Sequence, residues 1–384
     1  MKIQEDEMKK GLRIFIIIMM AIALSACGPE KKEEAGNDHN QIKQEEAQNG
    51  EDELTKEETG TEISTVSQLT GLPVSEEVRA NRPLAVMFNN IKEGCPQTGI
   101  SSADIVYEAP VEGRITRLMG IFEDYLKLEK IGSIRSSRDY FVYFAMEYDA
   151  LYAHFGQATP YVGDLLNSDR VDNLSGQVAG IDRPATKSFF RSEDRKAPHN
   201  VYITTEGLLQ DIERFKYRTT KKEDTKTKFQ FVSEETPYTF LYAEDATMIY
   251  PGGKENTKDN GFSKVEAFFE YDEEKQVYYR YQYGAPHIDE LTGEQLSFSN
   301  VIFQYCHGEV RDNEDYLAFG CHGDEDRMVR VFTQGKMIPG VWSRTSDEEP
   351  AMYIDYEGNP ITLTPGKTWI CIIWDEYRDD VVFE

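Results

Sequence analysis

The chain has 384 residues, with 69 acidic side chains against 42 Lys and Arg, a formal net charge of −27 and five cysteines. So large a negative surplus excludes phosphate-backbone binding and broad docking on anionic lipid headgroups, and no nucleic acid is expected as a partner. The length exceeds that of one ordinary domain, and composition alone divides the chain into unlike stretches.

At the N-terminus, Met8-Lys9-Lys10-Gly11-Leu12-Arg13 is basic and Ile14 to Leu24 is an unbroken apolar run. It is followed by Ser25-Ala26-Cys27. These eleven apolar residues fall far short of the ~20 that a spanning helix needs, and no later stretch is apolar for as long. The order is that of a secretion signal. Leu24-Ser25-Ala26-Cys27 resembles a lipobox, in which the cysteine is diacylated and the chain is cut before it. Residues 1–27 are therefore expected to be a lipoprotein signal peptide, with Cys27 lipidated. Glu5, Asp6 and Glu7 are foreign to such a leader and point to Met8 as the true start. Two acyl chains anchor stably where one is marginal, which predicts a lipid-anchored protein at the extracytoplasmic face of the cell membrane. Residues 28–66 hold twelve acidic and four basic residues and no aromatic ring. A segment so polar is expected to be a disordered acidic tether with a coil dimension of about 35 Å.

Ser67 to Glu384 contain all three tryptophans and every tyrosine and phenylalanine except Phe15. Two globular units are expected, a mixed α/β domain over 67–220 and a mainly antiparallel β domain over 229–384, an α+β protein overall. In the first, Leu84 to Phe88, Asp104 to Tyr107, Ile115 to Phe122 and Ile131 to Ile134 read as strands. Ser136 or Ser137 is placed to cap a helix through Tyr140, Phe141, Phe144, Ala145 and Tyr148. A strand over Leu151 to Phe155, a helix over Tyr161 to Leu166, a strand over Val201 to Ile203 and a helix after Thr204 or Thr205 follow. The Lys- and Thr-rich stretch Lys216 to Lys228 is taken as the boundary. In the second, Tyr238 to Tyr250, Val265 to Tyr271 and Val277 to Tyr283 have the aromatic and β-branched content of strands. Hairpins are expected about Gln334-Gly335, between Met328 to Phe332 and Met337 to Trp342, and about Glu357-Gly358, between Met352 to Asp355 and Pro360 to Leu363. Ile370 to Trp374 closes the chain as a buried strand.

Several motifs together resemble the YerB-like lipoprotein family. They are Arg82-Pro83-Leu84-Ala85-Val86-Met87 with Asn89 or Asn90, Pro96-Gln97-Thr98-Gly99-Ile100, Ala103-Asp104-Ile105-Val106-Tyr107-Glu108, Val111-Glu112-Gly113 and Ile115-Thr116-Arg117. Ile131-Gly132-Ser133-Ile134-Arg135-Ser136-Ser137-Arg138, Ala197-Pro198-His199-Asn200 and Pro365-Gly366-Lys367-Thr368-Trp369 complete the set. The resemblance implies an N-terminal α/β domain, a C-terminal β domain and a lipid anchor, and it implies no activity.

Glu108, Glu112, Arg117, Arg135 and Arg138 lie within 31 residues, among strands that would gather them at one sheet edge. Two carboxylates in unlike surroundings can divide acid and base roles at a glycosidic bond, whereas carboxylates beside arginines more often form structural ion pairs. The segment Ile134-Arg135-Ser136-Ser137-Arg138-Asp139 is also similar to a strand-to-loop segment of the LytR-CpsA-Psr phosphotransferases. That analogy implies a polyprenyl-pyrophosphate site formed by Arg117, Arg135, Ser136 and Arg138, since guanidinium groups beside a helix N-terminus suit anions. His154 and His199 sit beside expected core strands and are candidates for a general base or for a hydrogen-bonded structural histidine. No hydrolase, protease, P-loop or dinucleotide fingerprint occurs, and no cofactor is expected.

Cys306-His307-Gly308 and Cys321-His322-Gly323 are symmetric about Asn313 to Glu314, within the turn-like Arg311 to Asp315. The cysteines should face one another across a hairpin, as a disulfide, as free thiols or, least in keeping with the spacing, as metal ligands, and no metal site is assigned. Trp342, Trp369 and Trp374 read as β-core more than as a glycan-stacking face. Two functions remain in view. One is a non-catalytic envelope protein that contacts peptidoglycan or another envelope protein, with its charges paired. The other is an envelope enzyme acting on glycan or on a polyprenyl-pyrophosphate-linked precursor, with at least one of the two glutamates free of its arginine.

Overall fold

The computed structural model describes residues 65–384 apart from 179–180, 183–185, 257, 314 and 322. The expected leader, Cys27 and nearly all of the tether lie outside the described residues. The elements of the first half that bear on the site are β1 (Leu84–Phe88), β2 (Ile105–Val111), β3 (Ile115–Phe122), α1 (Asp139–Met146), β4 (Leu151–His154), α2 (Thr159–Leu166), β5 (Asn173–Ser175) and α3 (Thr205–Phe215). The second half contributes β6 (Met248–Tyr250), β7 (Phe268–Asp272), β8 (Val277–Gln282), β9 (Asn300–Cys306), β10 (Gly308–Val310), β11 (Leu317–Phe319), β12 (Gly323–Thr333), β13 (Lys336–Arg344) and β14 (Thr368–Trp374).

The expected boundary near 216–228 does not separate two sheets. An eleven-stranded mixed sheet takes strands from both halves, in the order β13-β12-β9-β14-β2-β3-β1-β4-β5, with Glu244–Asp245 and Met352–Ile354 both pairing with β13. The joint is the parallel pair of β14 and β2, which sets Trp369 beside Val106 and Cys371 beside Glu108. Apolar runs such as Leu84–Phe88 and Thr368–Trp374 are buried almost throughout because this sheet is covered on both faces. On one face lie α1 and α2 through Phe141, Phe144, Val162 and Leu166. On the other lie α3, through Leu208 and Ile212, and a six-stranded antiparallel sheet built on β6, β7 and β8, through Ile249, Phe269 and Tyr278. The mixed N-terminal half and the mainly antiparallel C-terminal half are as expected. The Lys-rich stretch is anchored by burial of Lys228, whose ammonium meets Glu147 and donates to Tyr107 Oη at 2.8 Å.

Local differences have local causes. α1 starts at Asp139 with Arg138 as its cap residue, because the Ser137 hydroxyl bonds Tyr152 Oη at 2.8 Å. Thr204 caps α3 as expected. Tyr238 to Tyr250 is strand only at Glu244–Asp245 and Met248–Tyr250. Upstream, Tyr242 takes φ +55° and Tyr238 stacks on Phe240 at 5.1 Å, so the aromatic content there reflects surface packing. The Gln334-Gly335 turn has positive φ at both residues, which suits the tight connection between β12 and β13. The second expected hairpin closes only through an Ile354–Pro360 bridge, since Thr362–Leu363 pairs in parallel with Gln230–Phe231.

Candidate functional site

The five charged residues expected at one edge divide between the two faces of the large sheet. Side chains alternate along β3, so Thr116 points to one face and Arg117 to the other. Thr116 belongs with Glu108, which is fully buried. The Glu108 carboxylate accepts from Arg280 Nη2 at 2.9 and 3.1 Å, Thr116 Oγ1 at 2.7 Å, Trp369 Nε1 at 3.1 Å and Asn90 Nδ2 at 3.4 Å. The Arg280 guanidinium lies between the rings of Phe269 and Trp369, at 5.0 and 5.2 Å. With both oxygens filled and no exposed surface, Glu108 is a structural ion that joins the two halves of the chain. Trp342 and Trp369 are likewise core.

On the opposite face, Arg117, Arg135 and Arg138 converge beside the first turn of α1. Glu112, in the turn between β2 and β3, is the carboxylate among them. Arg138 grips it in a two-pronged pair, with Nε at 2.9 Å from Oε2 and Nη2 on Oε1. Arg117 Nη2 stands 3.9 Å from Oε1, while its Nη1 donates to the Ser136 carbonyl at 2.8 Å. Burial pushes the Glu112 carboxyl up, but Arg117 and Arg138 outweigh it and hold the group below the usual carboxylate value. Burial and the neighbouring Arg138 bring Arg117 down to about 9, still charged at neutral pH. Burial and Arg138 also lower Arg135. Arg135 Nε has no partner among the described residues. Three guanidiniums against one carboxylate leave two positive charges at this spot, in a protein whose sum is strongly negative.

The wall of the cluster comes from the β10–β11 hairpin. Tyr316 lies under the Arg138 guanidinium at 5.1 Å, and Arg311 bonds Asp139 at 2.6 Å while covering the Tyr161 ring at 4.9 Å. Glu112 also lines a cavity of about 150 Å³ with Pro110, Val310, Leu317, Trp374 and Tyr377. Ser136 is half-buried against Gly156, whose φ of +86° and 2.7 Å clearance to Ser136 Oγ leave no room for a side chain.

Both candidate histidines are hydrogen-bonded. His154 is buried, with Nδ1 2.7 Å from the Gly156 carbonyl and Nε2 2.8 Å from Asn173 Oδ1. His199 Nδ1 accepts from Asn89 Nδ2 at 2.9 Å, which places its proton on Nε2. Burial and the Arg135 charge push its pKa below the ordinary value, so it stays neutral near the arginines. Cys306 and Cys321 are buried thiols, as is Cys371. Among the described residues, no group of three or more His, Cys, Asp or Glu is placed to hold a metal ion.

Sequence reasoning missed Arg280, Arg311 and Tyr316. The signal for Arg280 was present: Tyr278, Arg280 and Gln282 share the inward side of a strand that alternates buried and half-buried residues. A cation in that series must have a buried partner. Arg311 lay in what read as a turn and Tyr316 directly after it, and no local pattern aimed them at α1.

A large sheet shared by both halves, with paired internal charges and a cationic cluster among the described residues, defines a structural class and does not by itself assign an activity. The chain belongs to the family described as protein of unknown function DUF3048, whose N-terminal domain matches residues 69–218 and whose C-terminal domain matches residues 258–370. It is 29% identical over 307 residues to the "Putative lipoprotein YerB" of Bacillus subtilis (strain 168), covering 80% of this chain and 86% of that protein. The crystal structure of YerB from Bacillus subtilis matches with a TM-score of 0.68 at 25% identity, over 84% of this chain and 100% of that one. Among the described residues, no helix is long and apolar enough to cross a membrane.

Proposed function

We propose that this is a lipid-anchored, extracytoplasmic binding protein that holds an anionic group of a cell-envelope component against Arg117, Arg135 and Arg138. The observation that carries the reading is the unpartnered Arg135 Nε beside two further guanidiniums that share the single carboxylate of Glu112. The anchor rests on the leader pattern ending at Cys27, with support from the printed name of the Bacillus subtilis relative. A binding role is favoured over hydrolysis because each carboxylate proposed for acid–base work is held by an arginine: Glu108 by Arg280, Glu112 by Arg138. Peptidoglycan, or an envelope protein or precursor bearing phosphate or carboxylate, fits that chemistry.

The test is calorimetric titration of the full-length protein in detergent with inorganic pyrophosphate, and sedimentation with isolated peptidoglycan, beside Arg135→Ala. A charge-assisted hydrogen bond is worth ~1.5–3 kcal/mol, so the variant should bind about ten- to a hundredfold more weakly. Its unfolding free energy should stay within about 0.5 kcal/mol, because Arg135 Nε supports nothing else. Equal binding by both proteins would sink the proposal. Release of phosphate or of glycan fragments would make the protein an enzyme instead.

A further inference from the structure

We propose that in the exported protein Cys306 and Cys321 are joined by a disulfide that clasps the β10–β11 hairpin against α1. The pairing register fixes the partners. Gly308 faces Phe319, Glu309 faces Ala318 and Val310 faces Leu317. One step outward, the Gly320 N–H donates to the His307 carbonyl at 2.8 Å. Carried one step further, the same register would set Cys306 opposite Cys321, whose thiols are free in this structure. Since His307 and Gly320 are joined by a hydrogen bond, that extension would put the cysteines at the adjoining non-hydrogen-bonded position. There opposing Cα atoms approach to about 4.5 Å, inside the ~4.4–6.8 Å range of disulfides. Both side chains are buried, at 0% and 2% exposure. Burial raises Cys306 to about 12 and raises Cys321 as well, with the Cys306 thiol adding to the rise at Cys321.

These thiols are unreactive once enclosed, so the bond forms while the chain folds outside the cytoplasm, where disulfide oxidants are present. The thiolate of one cysteine attacks the disulfide of an oxidant, either a protein dithiol oxidase or oxidised glutathione. A mixed disulfide forms and one oxidant sulfur leaves as a thiol. The second cysteine then attacks the mixed disulfide and expels the other sulfur. Two protons and two electrons pass from the cysteines to the oxidant, which ends as two thiols.

What the bond would hold is the wall of the arginine cluster. Between the two cysteines the chain carries Arg311, which pairs with Asp139, and Tyr316, which lies under Arg138 and 5.4 Å from Tyr161. Cys321 Sγ itself lies near the Tyr140 carbonyl in the first turn of α1, at 4.0 Å. The bond closes the hairpin at its base, where strand pairing is short: β10 and β11 are three residues each. The crosslink depends only on export. Its effect on ligand binding rests on the function proposed above.

The full chain should be expressed with its leader, quenched in acid, unfolded in denaturant with an alkylating agent and digested without reduction. The expected result is one peptide pair linking Cys306 to Cys321, lighter than the sum of its parts by two hydrogens, with Cys95 and Cys371 alkylated. Alkylation of Cys306 and Cys321 in the unreduced sample would overturn the proposal. Hydrogen exchange on the wild-type protein tests the clasp without any variant. Reduction in denaturant followed by refolding should increase amide exchange severalfold across 307–320 and lower the melting temperature by about 5 °C, as loss of a loop of this length predicts. Unchanged exchange in a crosslinked protein would overturn the clasp. Pyrophosphate titration before and after reduction separates the two readings: weaker binding after reduction supports the clasp at the site. Absence of binding in both states defeats the proposed function alone and leaves the crosslink to the peptide map.

Discussion

Glu108 and Glu112 stand four residues apart and each meets arginine, yet they make opposite kinds of site. Glu108 lies at 0% exposure with one guanidinium, one indole, one hydroxyl and one amide aimed at its two oxygens. Charge balances and no lone pair is left over. Glu112 is partly exposed and is shared between Arg138 and Arg117, with Arg135 beside them. There the cations outnumber the anion and a donor is unused. Arg280 Nε also has no partner among the described residues, so it is charge and exposure that separate the two: a buried pair that balances can only hold the fold together, whereas a partly exposed cluster with surplus positive charge can receive a ligand.

The sharpest way to break that comparison is to remove Arg280. Arg280→Ala leaves the Glu108 carboxylate uncompensated in the interior, and urea unfolding should show a loss of about 3–5 kcal/mol. Replacing both members, Glu108→Leu with Arg280→Met, should recover most of that loss, because a well-packed apolar pair is often no worse than a buried ion pair. If the single and double variants were equally unstable, the pair would be serving packing more than charge. Arg138→Ala comes next. Its guanidinium makes two charge-assisted bonds to a carboxylate whose side chain is 26% exposed, so unfolding should cost ~1.5–3 kcal/mol. Pyrophosphate affinity should fall at least tenfold, since a cation is lost and Glu112 is released to repel the ligand. A variant that lost stability but kept its affinity would place the ligand elsewhere.

The legibility of these two sites in the sequence followed the range of their contacts. Leu84–Phe88 and Ile115–Phe122 are strands with the expected ends, and Thr204 is the expected cap, because each depends on neighbours in the chain. The motif run Ile134 to Arg138 marked the cationic cluster, since its arginines lie close in sequence. The split of Glu108 from Glu112 was readable in principle from the alternation of Thr116 and Arg117. That Arg280 pairs with Glu108, 172 residues away, was not, because no local pattern pairs a strand in one half with a strand in the other. The single sheet spanning both halves escaped notice for the same reason. It rests on the parallel pairing of β14 with β2, and parallel neighbours can come from any distance in the chain.

The mildest change is the most discriminating. Glu112→Gln removes the competing anion while keeping a side chain of the same length near Arg138. If Glu112 occupies cations that a ligand needs, pyrophosphate should bind a fewfold more tightly. If Glu112 chiefly orients Arg117 and Arg138, it should bind more weakly. Acid stability gives a second readout with a definite sign. The folded-state carboxyl lies below its unfolded value, so its contribution is fully present above roughly pH 4.3 and is lost as pH falls through the folded pKa. Wild-type protein should therefore lose more stability than Glu112→Gln on acidification below that pH, in parallel urea titrations. Glu108→Gln, by contrast, should be destabilised at neutral pH as well, because the buried Arg280 guanidinium would then face no anion. Tighter pyrophosphate binding together with a shallower acid limb in Glu112→Gln would mark Glu112 as a carboxylate that holds the place of a ligand.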